Sequence, residues 1–369
     1  MLLNLKEYIK VDYNPFYISA DEKLDLEVTS KYVYNLVNKE LKEKLNDKSE
    51  MVNLMRIDYA WDKNGNLKVL ELNTAGQQGW ILIKESEKRI LKEDTLSPNP
   101  DFLPKYLINK LGNKIAIISN YIEEDIFIEN DTHSNIEVTE LRLLINKIKS
   151  IGGDCKIINF DNDIIDKIKN YSPTGLYIRG NHSFNKELDV NVKIDIVSKI
   201  SKLNLPQIPT FGSLFESDNK SFLKYLKNDK KNAIPKTFNP SKDNIKDLSK
   251  NEIVLKPDNS SAGENIIFGE DCNENLWNEY LEKVLKKPND WVLQQRCELK
   301  KDRNGNYIDV AVYMADGDIK GFISRTSKDK IVNVGHGGSL KPVVLNNKKY
   351  RWRLDYIIIF LYIICLFCI

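Results

Sequence analysis

The chain has 369 residues, 41% of them hydrophobic, which is enough for a packed core and better matched to two linked units than to one. Fifty-five basic and fifty-three acidic side chains leave a formal charge of +2, with both signs scattered, so composition excludes the electrostatic footprint of a nucleic-acid binder. Five widely spaced cysteines and three distant histidines (His133, His182, His336) exclude a disulfide scaffold and a histidine metal cluster, leaving a reducing, cytoplasmic setting as the default.

The N-terminal MLLNLKEYIKVDYNPF has no basic region, apolar run or small-residue cleavage site, so it does not read as a signal peptide. Apolar residues three and four apart predict a helix over 28–46, followed by strands over 51–59 and 67–73 around the turn D62-K-N-G65-N. A strand over 114–119, a helix over 136–150 stopped by Gly152 and Gly153, and strands over 155–159 and 175–179 come next. That alternation predicts a parallel, Rossmann-like unit within an α/β (α+β) fold. A helix over 186–202 precedes the stretch 205–215, where two prolines and a glycine mark a linker. Helices over 217–228 and 273–286 bracket a strand over 252–256. Strands over 291–296, 307–314 and 321–325, joined by polar loops such as 303–306 and 315–318, predict an antiparallel sheet.

The last fourteen residues, Tyr356–Ile369, carry no charge and follow the basic stretch KKYRWR. A helix of that length rises about 21 Å, short of the roughly 30 Å hydrocarbon core. Three readings stay open: an element buried in the fold, a tail dipping into a membrane, or a non-native end from a shifted reading frame or truncated gene. Cys365 and Cys368 have CxxC spacing but no second ligand pair, and read as neither metal nor redox site.

Two stretches carry charged groups in patterns suited to chemistry. In M-R56-I-D58-Y and L-E71-L-N73, alternation along a strand puts Arg56 and Asp58 on one face, and Glu71 and Asn73 on one face. If the strands pair around D62-K-N-G65-N, an arginine, two carboxylates and a carboxamide converge. Hard oxygen ligands of this kind suit Mg²⁺, and the alternative is a solvated hairpin face with one ordinary ion pair. Later, E-I-V-L-K256-P-D258-N-S260-S261-A262-G263 closes an apolar strand with a lysine and a loop of small residues. The lysine offers a point charge and the loop offers backbone N–H groups to phosphates. No GKS or GKT follows, so this is not a Walker A loop, and a plain strand end is the alternative. The polar end of W-V-L-Q294-Q295 can face a purine, and Arg325, ending G-F-I-S-R, can meet phosphoryl charge. The G335-H336-G337-G338-S run reads as an anion nest or a glycine turn.

In combination these stretches resemble the ATP-grasp superfamily, and within it the circularly permuted branch that includes glutathionylspermidine synthase-type carboxylate–amine ligases. RID and ELN come first, TGLYIRG at 174–180 resembles the strand ending in arginine that precedes the lid, and S-D-N-K220 resembles the first nucleotide lysine. VLKP with Lys256, the SSAG lid, VLQQ and Arg325 follow in the family's order, over about 51–340. The lid loop has fewer glycines than a typical member. The resemblance implies ATP as co-substrate, probed by Lys220, Lys256, Ser260, Ser261, Ala262, Gly263, Gln294 and Gln295. It further implies two Mg²⁺ on Asp58, Glu71 and Asn73, with Arg56 and Arg325 facing the transferring phosphoryl group. The expected reaction joins a small-molecule or peptide carboxylate to an amine through an acyl phosphate. A nucleotide-binding module without turnover and a phosphotransferase on the same fold are the alternatives. The expected units are 1–105 (helices and metal hairpin), 106–212 (Rossmann-like), 213–350 (nucleotide-binding lid and core) and the tail 351–369.

Overall fold

The computed structural model describes residues 12, 14–47, 51–75, 77–87, 94–121, 136–180, 188–227, 229–241, 243, 245, 248–258, 263–332, 334 and 337–346. The tail over 351–369, Ser260, Ser261, Ala262 and the three histidines lie outside the described residues. In chain order the strands are β1 (Phe16–Ile18), β2 (Leu54–Trp61), β3 (Leu67–Asn73), β4 (Lys114–Ser119), β5 (Asp154–Asn159), β6 (Gly175–Ile178), β7 (Gln207–Ile208) and β8 (Thr237–Phe238). They continue as β9 (Ile253–Pro257), β10 (Ile267–Phe268), β11 (Trp291–Gln295), β12 (Tyr307–Ala315), β13 (Asp318–Ser327), β14 (Ser339–Lys341) and β15 (Val343–Leu345).

Local chemistry explains the hairpins. Asp62 Oδ1 accepts from the backbone N–H of Asn64 and Asn66 at 2.9 Å each, and Gly65 takes a φ of +83°, so the DKNGN turn closes β2 onto β3. Asp316 and Gly317, at φ of +49° and +83°, form the two-residue turn between β12 and β13. These pairs join in one antiparallel sheet of order β14-β13-β12-β2-β3, although β3 and β12 are more than two hundred residues apart in sequence. The parallel unit has the order β5-β4-β6-β7, and a small antiparallel sheet has the order β10-β9-β11-β8. The fold is thus mixed α/β, with parallel and antiparallel sheets.

The central sheet is covered on both faces. Met55, Ile57 and Tyr59 of β2 and Val310, Val312 and Met314 of β12 pack on Leu26, Val33, Val37 and Leu41 of the helix Ala20–Leu45. Each such large side chain, once fully buried, contributes about 1.5–3 kcal/mol. That helix begins at Ser19, well before the predicted 28. Ser19 Oγ accepts from Glu22 N at 3.1 Å and Glu22 returns a bond to Ser19 N at 2.8 Å. The polar first turns hide this start from a periodicity reading. On the other face, Leu54, Ala311, Tyr313 and Ile323 pack on Ile115, Ile117 and Tyr177 of the parallel unit. The small sheet buries Ile253, Leu255 and Leu293 against Trp277 and Val284 of the helix Glu274–Lys286.

Two predicted elements differ. The stretch 205–215 is no linker: it supplies β7, paired parallel to β6, and the start of a helix over Phe211–Ser217. Its prolines flank a two-residue edge strand, where a missing N–H is tolerated. The helix predicted over 217–228 splits into Phe211–Ser217 and a 3₁₀ turn over Lys220–Tyr225. Asp218 accepts from Thr74 N at 2.9 Å, and Asp258 accepts from Ser221 N at 2.7 Å. These tertiary bonds interrupt the helical ladder. Helices over Leu82–Glu87, Phe102–Leu111 and Ile164–Tyr171 were not anticipated. Among the described residues no helix is long and apolar enough to cross a membrane.

Candidate active site

A cleft opens between the central sheet and the small antiparallel sheet, with about 860 Å³ of non-protein space continuous with solvent. Its walls include Asp58, Glu71, Asp309 and Arg325 from the central sheet and Lys256, Gln294 and Gln295 from the small one, with Lys220 between. Leu70, Val254, Ile266, Phe268, Leu299 and Ile331 supply apolar wall.

Two β-bulges bring these side chains together. On β3, Leu67 and Val69 point into the helix-side core, so strict alternation would send Glu71 and Asn73 there too. The register instead pairs Asp58 with Glu71 and Tyr59 with Val69, leaving Leu70 extra. The extra residue reverses the alternation, so Leu72 enters the core and Glu71 joins Asp58. On β13 the pairs Tyr313–Gly321 and Met314–Ile319 leave Lys320 extra. Beyond it Arg325 lies opposite Asp309 on the cleft face. Both strands are re-aimed at the position where chemistry gathers.

Arg56 grips Asp58 with two bonds, Nε to Oδ1 at 2.8 Å and Nη2 to Oδ2 at 3.0 Å. Arg325 Nη2 reaches Asp58 Oδ2 at 2.8 Å and Asp309 Oδ2 at 2.5 Å. Asp58 and Asp309 are each 1% exposed. Although burial raises it, Asp58 is held below the usual carboxylate range by Arg325 and Arg56. Burial, opposed by Arg325 and assisted by the Asp58 charge, pushes Asp309 up to about 6. Asn73 Nδ2 approaches Asp58 Oδ2 at 3.4 Å. Arg56 and Asn73 reach the cleft only through Asp58, since neither lines it.

The opposite wall is cationic. Lys256 Nζ donates to Gln294 Oε1 at 2.6 Å and to Leu70 O, the bulge carbonyl, at 3.3 Å. Burial pushes this lysine down to about 8, with Lys220 also lowering it and Glu71 opposing. Gln294 is fixed in turn by its amide donating to Thr237 Oγ1 at 3.2 Å. Lys220 Nζ lies 3.4 Å from Glu71 Oε1. Asp258, two residues beyond Lys256, takes both Ser221 N and Ser221 Oγ, so one carboxylate registers the two lysine-bearing segments. Lys220, Lys256, Arg296, Arg325 and Lys330 face only three carboxylates along the cleft, an excess of positive charge.

Of the sequence-predicted residues, Asp58, Glu71, Lys220, Lys256, Gly263, Gln294, Gln295 and Arg325 line this one cleft. Gly263 sits at φ of +79°, and a Cβ there would come within 2.5 Å of Ile331, so the loop passes tightly against the wall. Asp309, Arg296 and Lys330 were missed. Asp309 opens an apolar strand in the sequence, and counting back from the Asp316-Gly317 turn without the Lys320 bulge places it opposite Ser324.

No protein-family model matches the chain, and no curated protein matches it. Among solved structures, the chain is similar to a protein from Methylobacillus flagellatus KT provisionally named gamma-glutamylcysteine synthetase. The identity is 12%, 89% of each chain is covered and the TM-score is 0.47.

Proposed function

We propose that the chain is an ATP-dependent carboxylate–amine ligase with a circularly permuted ATP-grasp arrangement, acting on a small-molecule or peptide carboxylate and an amine acceptor. One observation carries this reading: a single cleft sets Asp58, Glu71 and Arg325 of one antiparallel sheet across from Lys256 and Gln294 of another, with Lys220 between. Phosphoryl transfer asks a protein mainly for positioning and charge neutralisation, which this layout offers.

The residues divide the work. Lys220 and Lys256 would hold the phosphates, and the apolar wall of Leu70, Val254, Ile266 and Leu299 would take the base. Arg325, and Arg56 behind it, would meet charge as a substrate carboxylate oxygen attacks the γ-phosphorus and ADP leaves. A cation so aimed is worth about 10³–10⁵ in rate. The amine nitrogen then attacks the acyl carbon, phosphate departs and a proton is lost, leaving the amide.

Asp58, Glu71 and Asn73 offer the hard oxygen donors that Mg²⁺ prefers, so the donor set fits in type and would hold the ion. Here Asp58 is occupied by two guanidiniums, and among the described residues no group of three or more His, Cys, Asp or Glu side chains is arranged around a metal position. When bound, the ion supplies charge neutralisation to the phosphates. The test is ADP release with a library of carboxylates and amines. Release that requires both supports the ligase; release with the carboxylate alone makes the chain a phosphotransferase, and ATP binding without release leaves a module without turnover.

A further inference from the structure

Arg179 follows the last residue of β6, outside the nucleotide cleft. Its side chain is 0% exposed, and none of its three nitrogens makes a hydrogen bond of good geometry. Glu137 Oε1 stands 4.0 Å from Nε, an ion pair at its outer limit and too long for a hydrogen bond. Glu140, also buried, contributes charge, but its two oxygens are taken by the N–H groups of Ile81 and Leu82 at 3.0 Å each. A guanidinium brings five N–H donors, and a buried one left unbonded is a rare arrangement that calls for a partner. Two residues earlier on the same strand face, the buried Tyr177 hydroxyl lies close enough to the guanidinium to interact with it, but the two make no well-aligned hydrogen bond and the hydroxyl has no other partner.

Topology selects the same spot. In the order β5-β4-β6-β7 the chain leaves β4 to one side for β5 and returns on the other for β6. The strand order therefore reverses between the carboxyl ends of β4 and β6, where open parallel sheets bind ligands. Arg179 N donates to Ile118 O of β4 at 2.8 Å, so the residue spans that gap. Tyr177 belongs to the same core as Tyr313, which lies opposite Arg56 in the central sheet. Tyr177 thus belongs to the core that lies between the parallel unit and the sheet carrying Arg56 and Asp58.

We propose that Arg179, assisted by Tyr177, anchors a second carboxylate of the acid substrate, which is therefore a dicarboxylate or a peptide acid with a remote free carboxylate. The reacting carboxylate meets the phosphoryl group beside Arg325, while the remote one receives the planar fork of Arg179, whose geometry matches a carboxylate bidentately. This rests on the ligase reading. Binding of glutarate, adipate, butyrate and inorganic phosphate is measured by calorimetry on the full chain holding a non-hydrolysable ATP analogue and Mg²⁺, in wild type, Arg179→Lys and Arg179→Gln.

The expected result is saturable binding of at least one dicarboxylate, weakened at least tenfold in Arg179→Gln and several-fold in Arg179→Lys, with butyrate far weaker and nucleotide affinity unchanged. If Arg179→Gln does not fold, the loss in Arg179→Lys, which keeps the charge and removes the fork, decides. Equal dicarboxylate affinity in the variants, absence of dicarboxylate binding to wild type, or Arg179-dependent binding of phosphate instead overturns the proposal. Failure of wild type to bind the nucleotide at all would instead count against the ligase reading.

Discussion

Replacing Lys256 by Met should strengthen the empty protein and weaken its grip on nucleotide. The ammonium is half-buried in the cleft wall with two neutral acceptors, Gln294 Oε1 and Leu70 O, and desolvation pushes it down from an ordinary 10.5 to about 8. At about 1.4 kcal/mol for each tenfold change in proton affinity, keeping it charged there costs on the order of 3 kcal/mol. Between pH 8 and 10.5 the unfolded chain binds the proton and the folded chain does not, so wild-type stability rises with pH through that window. Below about pH 8 the cost is present in full. Met fills similar space without charge, so Lys256→Met should melt no lower than wild type at pH 7 and should lose the rise between pH 8 and 10.5. A phosphate bond to a charged donor is worth about 1.5–3 kcal/mol, so ATP affinity should fall roughly 10- to 150-fold. Wild-type affinity should also fall as pH rises above about 8, since binding must then recruit a proton, and this slope should vanish in the variant. Differential scanning calorimetry and isothermal titration with an ATP analogue measure both. Equal ATP affinity in the two proteins, or a variant that melts far lower at pH 7, refutes the reasoning.

Asp58→Asn leaves Arg56 beside a neutral amide and Arg325 with Asp309 as its remaining carboxylate, so it should cost about 3 kcal/mol of stability besides abolishing ADP release, read by denaturant titration. Because the folded protein holds Asp58 below the ordinary carboxylate range, its contribution is present above the unfolded value and lost as pH falls through the lowered one. The variant should accordingly show a shallower acid limb. Deleting Leu70 should turn Glu71 and Asn73 toward the helix-side core and abolish ATP binding, whereas Leu70→Ala, which keeps the residue count of the bulge, should retain it in the same titration. Gly79→Ala places a Cβ 2.5 Å from the Tyr313 hydroxyl at a φ of +101°, and should lower stability by about 1–3 kcal/mol in thermal melts.

The sequence by itself determined the local pieces. The DKNGN and Asp316-Gly317 turns fix two hairpins because Gly65 and Gly317 permit a positive φ that other residues resist. The period of the apolar residues announced the helices over Ile136–Ser150 and Glu274–Lys286, and strand alternation paired Arg56 with Asp58 and Glu71 with Asn73. A lysine ending an apolar strand was visible at Lys256. What only the tertiary structure decided is which faces these pieces share. The bulges at Leu70 and Lys320 carry no compositional mark, yet each reverses the alternation beyond it, and without them Glu71 and Arg325 would point away from Asp58 and Asp309. The Asp58–Arg325 bond joins residues 267 apart in sequence. Such a contact depends on how β2 and β12 pack between a helix and a parallel sheet, and periodicity, being a property of neighbouring residues, does not report on it.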